Sequence, residues 1–136
     1  MTALVIRMKA RLIFLGAKPD RAPSSLRLDG TPLRQNDVIP LTLKHARRWT
    51  RQDVTRVIVG SHPDRADVLL MDEPLTIGGE HVRFYLNHAD PPASHLRPMK
   101  NARVILNGER QRQFEWIHPK HGDEIELGAW RFRFEM

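Results

Sequence analysis

An all-β fold, built as a sandwich of short strands, is what this sequence predicts, and three observations predict it. Apolar residues recur at every second position in short runs, turn-forming residues separate those runs, and no long helical pattern alternates with them. At 136 residues the chain suits one domain, or one domain with an extension, and is long enough to bury roughly two thirds of its unfolded surface.

The elements follow in order. Ile6, Met8, Ala10, Leu12 and Phe14 alternate with Arg7, Lys9, Arg11 and Ile13, which predicts a long strand ending near Gly16 with the first set on one face. Residues 17–25 are polar and carry two prolines, so they read as a loop. Leu26, Leu28 and Leu33 flank Asp29-Gly30, a dipeptide that favours a tight hairpin because glycine tolerates positive φ. Asn36-Asp37 and Pro40 interrupt the chain again. In the next stretch Leu43, Ala46 and Trp49 have helical spacing, whereas Val54, Val57 and Val59 are β-formers. A strand ending at Gly60 is expected, preceded by an edge strand or a short helix.

Beyond residue 60 short strands and turns alternate. Val68-Leu69-Leu70 is an apolar run, Asp72-Glu73-Pro74 a turn, and His81 to Leu86 a strand. Pro91, Pro92 and Pro98 predict a loop over 87–99. Val104-Ile105-Leu106 leads into Asn107-Gly108, a second hairpin signal. The last strands are Glu124 to Leu127 and Trp130 to Phe134, around Gly128-Ala129. Trp130, Phe132 and Phe134 share one face of the closing strand, with Arg131 and Arg133 on the other, so the aromatic stripe is expected in the core.

Composition narrows the function classes. Without cysteine there is no disulfide framework and no thiolate chemistry, which fits a reducing, cytoplasmic setting. Arg7, Lys9 and Arg11 break the N-terminal apolar run, so neither a membrane span nor a signal peptide is expected. Twenty-two basic residues against 16 acids leave a net charge of +6, which favours phosphates or acidic protein surfaces as partners. The densest basic segment is Lys44, Arg47, Arg48, Arg51 and Arg56, with Trp49 among them. It is either a phosphate-backbone or acidic-partner contact or a solvated edge strand with Trp49 in the core. No nucleophile-and-base pair, phosphate-binding glycine loop or paired-histidine metal motif occurs. His118, His121 and Asp123 sit in a Pro-Gly turn without a third close ligand, so no metal or other cofactor is expected. His45, His62, His88 and His95 form no recognisable cluster in the sequence.

Four pieces in sequence order carry a family resemblance. His121-Gly122-Asp123-Glu124-Ile125-Glu126-Leu127-Gly128 is followed by Arg131-Phe132-Arg133-Phe134. Upstream lie Val104-Ile105-Leu106-Asn107-Gly108-Glu109, then Leu75-Thr76-Ile77-Gly78-Gly79-Glu80-His81-Val82, and Ile58-Val59-Gly60-Ser61 running to Leu70. Together, over about residues 56–136, they resemble the forkhead-associated (FHA) family, whose β-sandwiches bind phosphothreonine peptides through loops at one end. The resemblance implies a sandwich over 50–136, with residues 1–49 packed on it as an N-terminal extension that adds strands or a hairpin.

It also implies a degenerate cradle. The family's phosphate-binding arginine falls on Ser61, its serine on Gly78 and the arginine after that on Gly79. Its peptide-reading asparagine falls on Ala102, with Asn101 one residue away. His81 matches the family histidine, which supports the loops from beneath. Candidate partner-binding residues are therefore Ser61, His62, Arg65, Thr76, Gly78, Gly79, Asn101 and Asn107. The expected function is a non-catalytic, phospho-independent protein-interaction module or subunit of a larger assembly. The alternatives are phosphothreonine binding with a rearranged cradle, drawing on Thr76, Arg65 or His62, and nucleic-acid binding through the basic face.

Overall fold

The alternating runs pair into two sheets. The computed structural model describes residues 9–19, 25–44, 50–51, 53–88 and 92–136. In chain order the strands are β1 (Arg11–Ala17), β2 (Leu26–Leu28), β3 (Thr31–Pro32), β4 (Val38–Pro40), β5 (Thr50–Arg51) and β6 (Val54–Gly60). They continue with β7 (Val68–Asp72), β8 (Val82–Asn87), β9 (Ala93–Pro98), β10 (Val104–Leu106), β11 (Glu109–Arg110), β12 (Glu124–Leu127) and β13 (Trp130–Glu135). One sheet has the order β11-β10-β12-β13-β1-β4. The other runs β3-β2-β7-β6-β8-β9, with β5 paired to β6. The ladders are antiparallel apart from β6 with β7, where Val59 faces Val68. Residues 11–40 supply strands to both sheets, and β1 lies between β13 and β4.

Local chemistry explains the joints. Asp29 and Gly30 have φ of 49° and 83°, and Asn107 and Gly108 have 48° and 83°. Two consecutive positive φ values are what a two-residue hairpin turn requires, and both dipeptides supply them at low cost. The β1 to β13 register slips between Phe14 and Gly16, and Gly16 adopts φ +104° at that bulge.

The inner faces meet in one apolar layer. Leu12 and Phe14, Val57 and Val59, Val82, Phe84 and Leu86 pack against Ile125, Leu127, Trp130, Phe132 and Phe134. Phe84 lies parallel to Phe134 across the layer at 6.0 Å between ring centres, and Phe14 contacts Trp130 and Phe132 at 5.6 Å each. Arg131 and Arg133 stand on the outer face of β13, where they meet Glu124 at 3.6 Å and Glu135 at 3.0 Å.

Three expectations change. Residues 87–99 are not a loop throughout, because Ala93–Pro98 form β9, the edge strand beside β8. Its one proline, Pro98, is compatible with an edge, where one row of amides is not needed by the sheet. Asp72 is not a turn residue but the buried last residue of β7. Lys9 and Ala10 are not in the first strand, which is described from Arg11 to Ala17, and the expected residues 6–8 lie outside the described residues. Among the described residues no helix is long and apolar enough to cross a membrane.

Deleting a ring from this layer leaves a cavity that neighbours only partly fill. Phe84→Ala is expected to lower unfolding free energy by about 3–5 kcal/mol in urea titration. By contrast, Leu75→Ala, at a residue 61% exposed, is expected to change it by less than about 0.5 kcal/mol.

Candidate functional site

Three loops meet at one end of the sandwich because β6 and β8 are antiparallel neighbours, with Val59 opposite Val82. That register brings the chain leaving β6 (61–67) beside the chain entering β8 (73–81), and the 99–103 loop joins them. The approach is close. A Cβ on Gly60 would stand 2.0 Å from the Gly79 carbonyl oxygen, so only glycine fits there. Ser61 N–H donates to Gly78 O at 2.9 Å and His62 N–H to Gly79 O at 3.2 Å. The Ser61 hydroxyl is buried and donates inward to Ile77 O at 2.9 Å.

His81 is buried beneath these loops. Gly78 N–H donates to its Nδ1 at 2.9 Å, so the ring proton lies on Nε2, which donates to Arg103 O at 2.8 Å. Its main chain is held as well: His81 N–H donates to Val59 O and His81 O accepts from Met99 N–H. Burial pushes its pKa below the ordinary histidine value, against weaker upward effects from the Arg103 carbonyl and the Asp72 charge. A neutral imidazole therefore ties the 73–81 loop to the 99–103 loop.

Asp72 forms a second hub. It accepts from the Trp130 indole N–H at 2.7 Å, from Thr76 N–H at 2.8 Å and from the Thr76 hydroxyl. The Thr76 oxygen accepts in turn from Ala129 N–H at 3.1 Å. Gly128, at φ +58°, lies so close to Thr76 that a Cβ would come within 2.6 Å of it. Arg103 closes the cluster, its guanidinium donating to Gly128 O at 3.0 Å and its carbonyl accepting from Gly128 N–H.

The exposed layer is charged but internally balanced. Glu80 stands 3.0 Å from the Arg83 guanidinium and 3.9 Å from that of Arg65. His62 is exposed, and its Nδ1 accepts from Asp64 N–H at 3.2 Å. Gly79 is exposed, Gly78 half-buried, and neither has a left-handed φ.

Seven sequence candidates thus share this end: Ser61, His62, Arg65, Thr76, Gly78, Gly79 and His81. Asn101 lies on the adjoining 99–103 loop, exposed, with φ 59° and its N–H on Gln113 Oε1 at 3.1 Å. Asn107 is set apart at the far end of β10, where its amide bonds Asp123 at 3.1 Å and Glu124 N–H at 2.9 Å. Of the basic segment, Lys44 pairs with Asp29 at 2.9 Å and Arg56 is half-buried on β6. Arg47, Arg48, Trp49 and the Arg51 side chain lie outside the described residues. Sequence reasoning missed Asp72, Glu80 and Arg103, whose partners are mostly remote in the chain. Asp72 and Trp130 are 58 positions apart, and no local pattern links them.

No protein-family model and no curated protein matches the sequence. Solved structures do match. The MEK1 FHA domain superposes with a TM-score of 0.59 at 20% identity, over 93% of this chain and 88% of that one. The chain has the fold of a forkhead-associated domain. The FHA domain of an Arabidopsis thaliana hypothetical protein gives a TM-score of 0.62 at 15% identity, over 100% of this chain and 91% of that one. The N-terminal FHA domain of S. cerevisiae Rad53p, solved with a phosphothreonine peptide, gives 0.61 at 14% identity, covering 95% and 94%. The FHA likeness read from four short motifs is therefore a likeness of the whole sandwich, N-terminal strands included.

Two outcomes follow for this FHA-like end. Gly60→Ala forces the Gly79 carbonyl away and is expected to destabilise the fold by about 2–4 kcal/mol, seen as an earlier urea midpoint. Because His81 binds a proton more weakly folded than unfolded, stability is expected to fall as pH drops below about 6.5, toward the lower folded value. His81→Gln is expected to remove that part of the slope in pH-dependent unfolding.

Proposed function

We propose that this FHA-fold chain is a non-catalytic protein-interaction module, or a small subunit of an assembly, that binds its partner without reading phosphate. The loop end, residues 60–66, 76–81 and 100–103, is the proposed contact surface. One observation carries the phospho-independent part: at this end the polar groups are already engaged with one another. Ser61 occupies the position of the family arginine and turns its hydroxyl inward to Ile77 O. The Thr76 hydroxyl is held by Asp72, and Arg65 faces Glu80. A carboxylate between two guanidiniums lowers the positive potential that a phosphate needs. Each missing charged hydrogen bond costs about 1.5–3 kcal/mol, roughly tenfold to over a hundredfold in affinity.

Positions 78 and 79 would accept side chains, since a Cβ at either meets its nearest neighbour only at 3.5 Å. This permits a direct test by calorimetry and NMR with a phosphothreonine peptide and its unphosphorylated twin. The natural chain is expected to bind neither at millimolar peptide. Ser61→Arg combined with Gly78→Ser and Gly79→Arg is expected to gain binding of the phosphorylated form alone. Saturable phosphate-dependent shifts in loops 60–66 and 76–81 of the natural chain would instead establish a rearranged cradle.

A further inference from the structure

The seven-stranded sheet turns a second distinctive surface outward, on the outer face of β8 and β9. On β8 and β9, Tyr85 faces His95 and Arg83 faces Arg97 in the antiparallel register. Residues 114–118 then run back along β9, joined to it by the Leu96 and Ile117 bridge and by Phe114 N–H on Pro98 O at 2.7 Å. The turn that starts this return places Phe114 at φ +64°, a conformation that a bulky residue adopts at a cost. That path sets Trp116 beside Arg97 and His118 beside His95. The sequence hid this cluster because β9 reads as a proline loop.

The result is a compact aromatic and cationic group on an open face. The Arg97 guanidinium lies over the Trp116 ring at 4.9 Å and over Phe114 at 5.6 Å, and its Nε donates to Phe114 O at 3.0 Å. Tyr85 meets Trp116 edge-on at 4.8 Å, and the His95 and His118 ring centres are 3.8 Å apart. Even so, Trp116 stays 53% exposed and Phe114 40% exposed. A cavity of about 350 Å³ opens against Tyr85, His95, Trp116 and His118, and among the described residues no carboxylate lines it. Burial and the neighbouring His118 hold His95 below the ordinary histidine value, and the Arg97 guanidinium is the permanent positive charge of the group.

From this geometry we infer a second docking surface, on which Tyr85, His95, Arg97, Phe114, Trp116 and His118 receive an acidic segment of a protein partner. An apolar side chain of that segment enters the cavity while its carboxylates face Arg97. Tryptophan, tyrosine and arginine are the residues that most often dominate binding energy at protein interfaces, above all where a pocket sits among them. Charge complementarity selects an acidic segment. A single-stranded nucleic acid fits less well. It needs open ring faces for stacking, and here a guanidinium already covers a face of Trp116.

The inference rests on the protein-binding reading, and its test separates the two. The probe is a short synthetic peptide of Asp and Glu around one central Phe, followed by the Trp116 indole signal in NMR and by fluorescence. Saturable binding that moves Trp116 and falls tenfold or more in both Trp116→Ala and Arg97→Gln supports the surface, provided each variant keeps the wild-type unfolding midpoint. Should one variant unfold, the other together with His118→Ser decides. Tighter binding of an oligothymidylate at the same residues would overturn it in favour of nucleic acid. No binding of either probe would also overturn it, while leaving the loop end to be judged by its own titration.

Discussion

Two buried polar side chains, Asp72 and His81, join the sheets at the loop end, and the arrangement of the candidate surface depends on them. Asp72 ends β7 in one sheet and holds the indole of Trp130 from the other. His81 precedes β8 and reaches across to the carbonyl of Arg103, which leads into β10. Polar groups in an apolar layer are costly unless fully bonded, and when bonded they admit few alternative arrangements. The loops are thus set by directed bonds, whereas the layer beneath is set by close packing of Phe84, Phe132 and Phe134.

This division of labour bears on binding. A rigid loop end loses little conformational freedom when a partner docks, which favours affinity without large area. The same bonds occupy the hydroxyls of Ser61 and Thr76, and Glu80 offsets part of the charge of Arg65 and Arg83. Shape and backbone are what such an end offers a ligand. The outer face of β8 and β9 differs, since its aromatic rings and Arg97 are exposed with an open cavity beside them.

Much of the framework was legible because it rests on short-range chemistry. Period-two alternation marked β1 and β13, short runs of β-formers marked β6, β8 and β12, and the Asp29-Gly30 and Asn107-Gly108 turns revealed themselves by residue type. Gly60 and His81 were visible through their motif spacing. Less was legible where a strand lacks β-formers: Ala93 to Pro98 pairs only because β8 offers it an edge. Asp72 looked like a solvated turn residue, and nothing near it announces Trp130.

Residue type and short spacing alone carry the all-β class, the inward aromatic stripe of Trp130, Phe132 and Phe134, the hairpins, and the small residues Ser61, Gly78 and Gly79 of the loop end. Those depend on residue type and on spacing of a few positions, which the chain carries locally. The folded chain adds that Thr76 is held by Asp72, that Glu80 stands between Arg65 and Arg83, and that His95 meets His118 beside Trp116. Even the short-range pairs, Thr76 with Asp72 and Glu80 with Arg83, depend on the loop path set by strand register and sheet packing, and the others join residues far apart in the chain.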